Sequence, residues 1–349
     1  MALDFRPVID RMTSTPDRPQ RNAPTPVRLS QNELPWGPPE PVLNAMTEAL
    51  QTVNRYPDYH RTAARTAIAN VVGVAPEWVA VDNGSGSLLH GLARLVIEPG
   101  TTAIYGWPSF EAYPASVALA GGSPSPVDLN AEGAMDLAAL RDAMGDSTRL
   151  VVLCNPNNPT GGFIGIDDLR AFLSSVPDNV LVVLDEAYRE FVTAEDVSES
   201  IALVHEFENV AIVRTMSKSY GLAGVRAGYV IAQERIALAL RRSSVGFALN
   251  SVADAAIIAA FSPEGLQIAE ERIQRIVAER ERFLAALTAA GVSHLPTESN
   301  FVFIHGDAAE LTKRFEAQGV MSRPFPHAGG VRITIGAPAE NDAALAVFN

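Results

Sequence analysis

Between Trp78 and Ala232 the chain alternates short apolar runs with turns and amphipathic stretches. "WVAV" (78–81), "LVVLC" (150–154), "VLVVL" (180–184), "VAIV" (210–213) and "GYVIA" (228–232) are nearly all apolar. A strand that is apolar on both faces needs cover on both faces. Parallel strands of a doubly wound α/β sheet have that cover. The period then changes. Over Leu266–Gly291, Ile268, Ile273, Ile276, Phe283 and Leu287 recur on one side of a helix, with charges opposite and Gly291 as the stop. "NFVFIH" (300–305) and "VRITIG" (331–336) read as strands with a helix between them. "PPEPVLNAMTEALQTV" (38–53) reads as a helix entered through prolines, which lack only N–H groups that a first turn leaves unused. Residues 1–30, rich in Pro, Arg and Thr, read as an extended arm. The expected organisation is a large domain over 46–260 and a smaller one built from 1–45 and 261–349.

In open α/β sheets, ligands bind beyond the carboxyl ends of the strands. The residues at those positions therefore matter most. "DNGSGSLLHGL" follows the first run, and Gly84 and Gly86 let the backbone turn so that N–H groups can cup an anion, or simply turn. Leu89 stands where a G-x-G-x-x-G fingerprint needs its third glycine, so this is no dinucleotide site. The rigid loop "NPNNPTGG" follows the second run and offers the amides of Asn155, Asn157 and Asn158. Asp185, Glu186 and Tyr188 follow the third, and Ser217 and Lys218 follow the fourth, with Arg226 eight residues beyond Lys218. The chain has 27 Lys plus Arg, of which only Lys218 and Lys313 are lysine. A lysine kept at a strand end can lose its proton and become a nucleophile, which arginine cannot. An anion cup, an amide, a carboxylate, a phenol, a lysine and an arginine are together the set that a pyridoxal phosphate site needs.

Bulk properties narrow the setting. A net charge of −13 argues against a generic nucleic-acid surface. Cys154 is the single cysteine, so no intrachain disulfide forms, and a reducing cytoplasm is expected. "MALDFRPVID" lacks the apolar core of a secretory signal, and no run approaches the ~20 apolar residues of a membrane span. Six histidines and one cysteine show no metal-ligand spacing, so no metal is expected.

"NPNNPTG", "DEAYREF" and "SKSYGLAGVRAGY", in this order, resemble the fold type I pyridoxal-phosphate aminotransferases, and within them the histidinol-phosphate aminotransferase family. "NRYPD" (54–58), "SNF" (299–301) and "VRITIG" extend the resemblance from about residue 28 to the end. "GSGSLL", "YGWPSFEAYP" and "NELP" look closer to the actinobacterial aromatic (phenylalanine-type) branch of that family.

The resemblance implies an α/β fold: a large domain with a mostly parallel sheet flanked by helices, plus a smaller α+β domain. It makes Lys218 the Schiff-base lysine and proton carrier, and pairs Asp185 with the pyridine nitrogen. It places Asn158 and Tyr188 at the ring hydroxyl, Phe110 on the ring face, and Gly84, Ser85, Ser217 and Arg226 on the phosphate. Tyr56 would reach the phosphate of a neighbouring subunit, which implies a homodimer. Arg332 would clamp the substrate carboxylate, with Asn32 and Asn158 beside the substrate. The implied reaction moves an amino group from an aromatic L-amino acid to a 2-oxo acid such as 2-oxoglutarate. Leu34 and Trp36 are expected to suit an apolar side chain. Two alternatives stay open: histidinol phosphate as donor, with Arg323 on its phosphate, and a decarboxylase of the threonine-phosphate type. Cys154 reads as a buried thiol, His90 as a packing residue and Lys313 as solvated, while His327 is a candidate for the pocket wall.

Overall fold

The computed structural model describes residues 6, 8–9 and 27–348. Most of the expected extended arm therefore lies outside the described residues. The strands are Val27–Arg28 (β1), Val79–Asp82 (β2), Thr102–Trp107 (β3), Ser123–Asp128 (β4), Thr148–Cys154 (β5) and Leu181–Asp185 (β6). Val210–Thr215 (β7), Gly228–Ala232 (β8), Phe301–His305 (β9), Val320–Met321 (β10), Arg323–Phe325 (β11) and Gly330–Thr334 (β12) complete them.

Seven strands form the main sheet in the order β2-β8-β7-β6-β5-β3-β4. The pairs from β4 through β7 are all parallel, whereas β8 runs antiparallel to both β7 and β2. "GYVIA" thus corrects the expectation of a parallel strand. Every residue of β6, β7 and β8 is buried. An all-apolar run reports cover on both faces, and direction is a separate matter.

Neither β3 nor β4 stands out in the apolar pattern. β4 is "SPSPVD", an edge strand exposed along much of its length. Pro124 and Pro126 cannot donate to a ladder, and an edge is where a strand tolerates them.

The second unit is smaller. β9, β12 and β11 pair antiparallel in the order β11-β12-β9, and β1 pairs with β10. The two larger buried apolar clusters follow the two units. One runs from Val42 to Phe261, and the other joins Leu29, Leu34, Tyr188 and Phe191 to residues between Ile273 and Val347. The helix Glu40–Leu50 contributes Val42 and Met46 to the first cluster, so that packing starts a few residues before 46.

The long helix spans Pro263–Ala289, with Ser262 accepting from the Gly265 N–H at 3.1 Å as its cap. Ile273, Ile276, Phe283 and Leu287 are buried, and Ile268 is half-buried. Burying each such side chain stabilises the fold by roughly 1.5–3 kcal/mol. Arg280 lies in the same stripe, 1% exposed, donating to the Phe191 carbonyl at 3.0 Å. The apolar face expected from the sequence is therefore interrupted by one arginine that serves the interior.

Candidate functional site

A cleft of about 360 Å³ opens at the carboxyl ends of the main sheet's strands, between the two units. One corner is built for an anion. The helix Ser85–Val96 starts directly after Gly84, whose φ of +87° favours glycine. The first-turn N–H groups of a helix have no partners within it. Arg226 closes the corner, with Nη1 donating to Ser217 Oγ at 3.4 Å and to the Ala223 carbonyl at 3.0 Å. A Cβ on Gly84 would lie 2.5 Å from Arg226 Nη2, so the guanidinium rests against bare backbone. Ser85, Ser217 and Arg226 all line the cleft.

The asparagine loop divides its labour. Asn155 exchanges two 2.8 Å hydrogen bonds with the backbone of Ile164. Asn157 accepts from Ser109 Oγ and donates to Thr160 Oγ1, both at 2.7 Å. Those two amides hold the loop's shape. Asn158 faces the cleft, where its Oδ1 accepts from Arg332.

The end of β6 sorts two acids by strand alternation. Glu186 turns away to a buried ion pair with Arg214 at 2.9 Å. Asp185 lines the cleft, and its Oδ2 accepts from Tyr113 Oη at 2.7 Å. Its Oδ1 is buried with no hydrogen-bond partner among the described residues. Burial pushes the Asp185 carboxyl up to about 6, against the hydrogen bonds from Tyr113 and the Ala187 N–H. Burial, reinforced by Asp185, also pushes the Cys154 thiol up to about 12, so it stays a neutral buried thiol.

Lys218 follows β7, and its Nζ donates to the Gln31 carbonyl at 2.7 Å. Burial first, then the charge of Arg332, lowers its ammonium to about 7; Arg226 pulls the same way and Glu33 opposes. The amine is therefore available as a base and nucleophile near neutrality.

Tyr188 Oη accepts from Asn32 Nδ2 at 2.9 Å, and burial raises the phenol to about 12. Asn32 has φ of +54°, which asparagine tolerates, and Thr334 and Asn300 hold it from the other side. Arg332 comes from β12, with Nη2 donating to the Ser30 carbonyl at 2.7 Å. Its guanidinium lies 5.3 Å from the Phe301 ring and 5.6 Å from that of Phe325.

Over residues 24–348 the sequence matches the family described as aminotransferase class I and II. The chain belongs to that family. It is 43% identical over 339 residues to an aromatic amino acid aminotransferase of Thermobifida fusca, covering 95% of this chain and 93% of the relative. A Rhodococcus jostii protein of the same name is 42% identical over 330 residues, covering 94% and 91%. The histidinol-phosphate aminotransferase of Sinorhizobium meliloti, solved with pyridoxal-5'-phosphate, superposes with a TM-score of 0.89 at 28% identity, covering 99% of this chain and 97% of that one. An aspartate aminotransferase of Thermus thermophilus, solved with maleate, shares the fold at a TM-score of 0.84 and 22% identity, covering 99% of each chain.

Aminotransferases of this class depend on pyridoxal phosphate. The cleft of this aminotransferase fits the group. It offers an unpartnered buried carboxylate oxygen on Asp185, an anion corner at Gly84 and Arg226, and an amine of lowered basicity. Among the described residues, no cluster of His, Cys, Asp and Glu could hold a metal.

The aminotransferase cleft gathers Lys218, Asp185, Tyr188, Ser85, Phe110, Asn158, Ser217, Arg226, Asn32, Arg323 and Arg332. Gly84 abuts it through Arg226. Tyr56 does not join them: it is 82% exposed, with its ring 4.5 Å from Phe247. Leu34 is buried in the second core, and Trp36 sits beside Arg272 and Arg275 in a neighbouring cleft. The apolar wall expected from those two is therefore corrected: from that loop the main cleft receives Gln31, Asn32 and Glu33 instead. His327 is exposed and stacks on Trp107 at 5.7 Å, outside the cleft lining. Ser109, Glu111, Tyr113 and Phe325 are the neighbours that the sequence reading missed. The first three follow β3, the strand that the apolar pattern hid.

Proposed function

We propose that this aminotransferase takes its amino group from an aromatic L-amino acid, phenylalanine-like, and passes it to a 2-oxo acid such as 2-oxoglutarate. The observation that carries the reading is Arg332, a carboxylate-binding fork set between the rings of Phe301 and Phe325. The names of the relatives point the same way.

Bound in this cleft, pyridoxal phosphate supplies a sink for the electron pair left when a substrate Cα loses its proton. The chain's residues do the rest. Arg226, Ser217, Ser85 and the first-turn amides after Gly84 hold the phosphate. Asp185 holds a proton at the pyridine nitrogen. Asn158 and Tyr188 would steady the ring hydroxyl, and Phe110 would cover the ring. Lys218 would anchor the cofactor, and its Nζ, neutral above about pH 7, would take the Cα proton and pass it on to the cofactor side rather than back to Cα. Arg332 grips the substrate carboxylate in two parallel bonds, and Asn32 keeps Tyr188 in place.

The assembly is assigned as a homodimer. Tyr56 and Tyr59 pack on Phe247, and Leu50, Val53 and Val245 are further exposed apolar residues of the same two segments. A partner would cover them and receive Tyr56 at its phosphate corner. Residues 46–260 are assigned to the cofactor domain, and 1–45 with 261–349 to the smaller one. A single buried thiol suits the cytoplasm.

A second reading has its own observation: Arg323 lines the same cleft and could meet the phosphate of histidinol phosphate. The test is a half-reaction. Protein purified with its cofactor is mixed with L-phenylalanine or L-histidinol phosphate, without any 2-oxo acid, and the visible absorbance is followed. Faster bleaching by phenylalanine is expected. Faster bleaching by histidinol phosphate would replace the aromatic reading with the second.

A further inference from the structure

Arg323 and Arg332 stand directly opposite one another on β11 and β12. Residues paired in this way project from the same face of a sheet, and like charges so placed repel. Both line the cleft. Two adjacent guanidiniums would make a receptor for a substrate with two carboxylates, or with a phosphate.

Glu111 intervenes. Its carboxylate accepts from Arg323 Nη2 at 2.8 Å, across the cleft from the segment after β3 to the small sheet. Glu111 occupies the cap position of the helix Ala112–Ala120 yet makes no capping hydrogen bond. Its charge goes to Arg323 instead of to its own helix. The same guanidinium lies 5.7 Å from the ring of Phe325, which also faces Arg332. The wall beside Arg332 is thereby an ion pair on an aromatic ring, with no net charge.

We infer that Glu111 is a charge filter: by occupying Arg323, it leaves carboxylate recognition to Arg332 and disfavours substrates with a second anion. The inference rests on the aromatic-donor reading and deepens it. It also carries a consequence for the acceptor. A dicarboxylate such as 2-oxoglutarate must displace Glu111 from Arg323 to settle its far end, whereas an aromatic side chain need not.

Calorimetric titration of the holoenzyme with two unreactive acids tests this. Glutarate carries a second carboxylate, and 3-phenylpropanoate carries a ring. Glu111→Gln is expected to tighten glutarate about fivefold relative to the wild type, a modest gain because the pair is partly exposed. Added salt should shrink the gain. In the double variant Glu111→Gln with Arg323→Gln, glutarate should bind about as in the wild type, since the wall is again neutral. No gain in Glu111→Gln, or a gain that survives removal of Arg323, overturns the filter. Equal tightening of 3-phenylpropanoate overturns it too, because charge would then not be what is selected. Should Glu111→Gln fold poorly, Glu111→Ala takes its place with the same expected gain for glutarate, and no gain there overturns the filter as well. The aromatic reading is judged separately, by whether the wild type binds 3-phenylpropanoate at all.

Discussion

Tyr113 donates a 2.7 Å hydrogen bond to Oδ2 of Asp185, while Oδ1 of the same carboxylate is buried without a partner among the described residues. One oxygen is anchored by the protein, and the other is left without a protein donor. A hydrogen bond to a charged group is worth about 1.5–3 kcal/mol. Tyr113→Phe removes that support from the ionised carboxylate and raises Asp185 further above about 6. The cofactor dissociation constant should rise roughly tenfold, more at pH 6 than at pH 8. Absorbance titration of the apoprotein measures it. Equal affinity at both pH values would mean that Tyr113 only packs.

The same carboxylate sets a pH effect on the apoprotein. Its folded value of about 6 lies above the ordinary 3.8, so the folded state holds the proton more tightly than the unfolded chain. That contribution is fully present below about 3.8 and is lost as pH rises through about 6. Asp185→Asn should therefore raise the apoprotein's Tm at pH 8 and leave it nearly unchanged at pH 4, with an upper bound of about 3 kcal/mol. The variant should lose most transamination, because an amide does not hold the pyridine proton. A Tm gain of equal size at both pH values would refute the electrostatic account.

Lys218 titrates in the opposite direction. Its ammonium, lowered to about 7 from 10.5, is neutral just above neutrality. Capture of pyridoxal phosphate by the apoprotein needs the neutral amine, so its rate should climb with pH and level off soon above pH 7. Stopped-flow absorbance gives the profile. A rate still climbing at pH 9 would place the amine in a water-like setting. Lys218→Arg should keep the fold, by circular dichroism, and never develop the visible band.

Gly84→Ala probes the anion corner. The new methyl would meet Arg226 Nη2 at 2.5 Å, on a backbone with φ of +87°. Strain of this kind costs on the order of 1–3 kcal/mol. Cofactor affinity should fall at least tenfold. Inorganic phosphate is expected to compete with the cofactor for the wild-type apoprotein, and far less well for the variant. Undiminished competition would move the phosphate site elsewhere.

The chemistry of the cleft was more legible in the sequence than its shape. Strand-end residues such as Asp185 and Lys218 follow conspicuous apolar runs, and so they could be found. Tyr113 and Glu111 follow β3, whose short apolar run is broken by Gly106 in "TAIYGW". Leu34 and Trp36 were misread because hydrophobicity alone does not say which wall a side chain joins; Leu34 joins a core. Which of Asn155, Asn157 and Asn158 would be spent on the loop itself depends on partners as distant as Ser109 and Ile164, which no local pattern reveals.

The reversal of β8 has a consequence for measurement within the site. A parallel strand would have needed a crossover carrying the chain back to the amino end of the sheet first. Because β8 turns straight back beside β7, residues 216–227 never leave the carboxyl end, and the Met216 N–H bonds to the Ala227 carbonyl at 3.0 Å at the loop's neck. Lys218 and Arg226 thus sit on one tether, fastened at both ends to adjacent strands. The backbone spacing between these two residues is set by a single closed loop, like the fixed jaws of a gauge. The backbone spacing of residues 218 and 226 is thus fixed within the larger unit alone, while the Lys218 amine also reaches the Gln31 carbonyl of the smaller one.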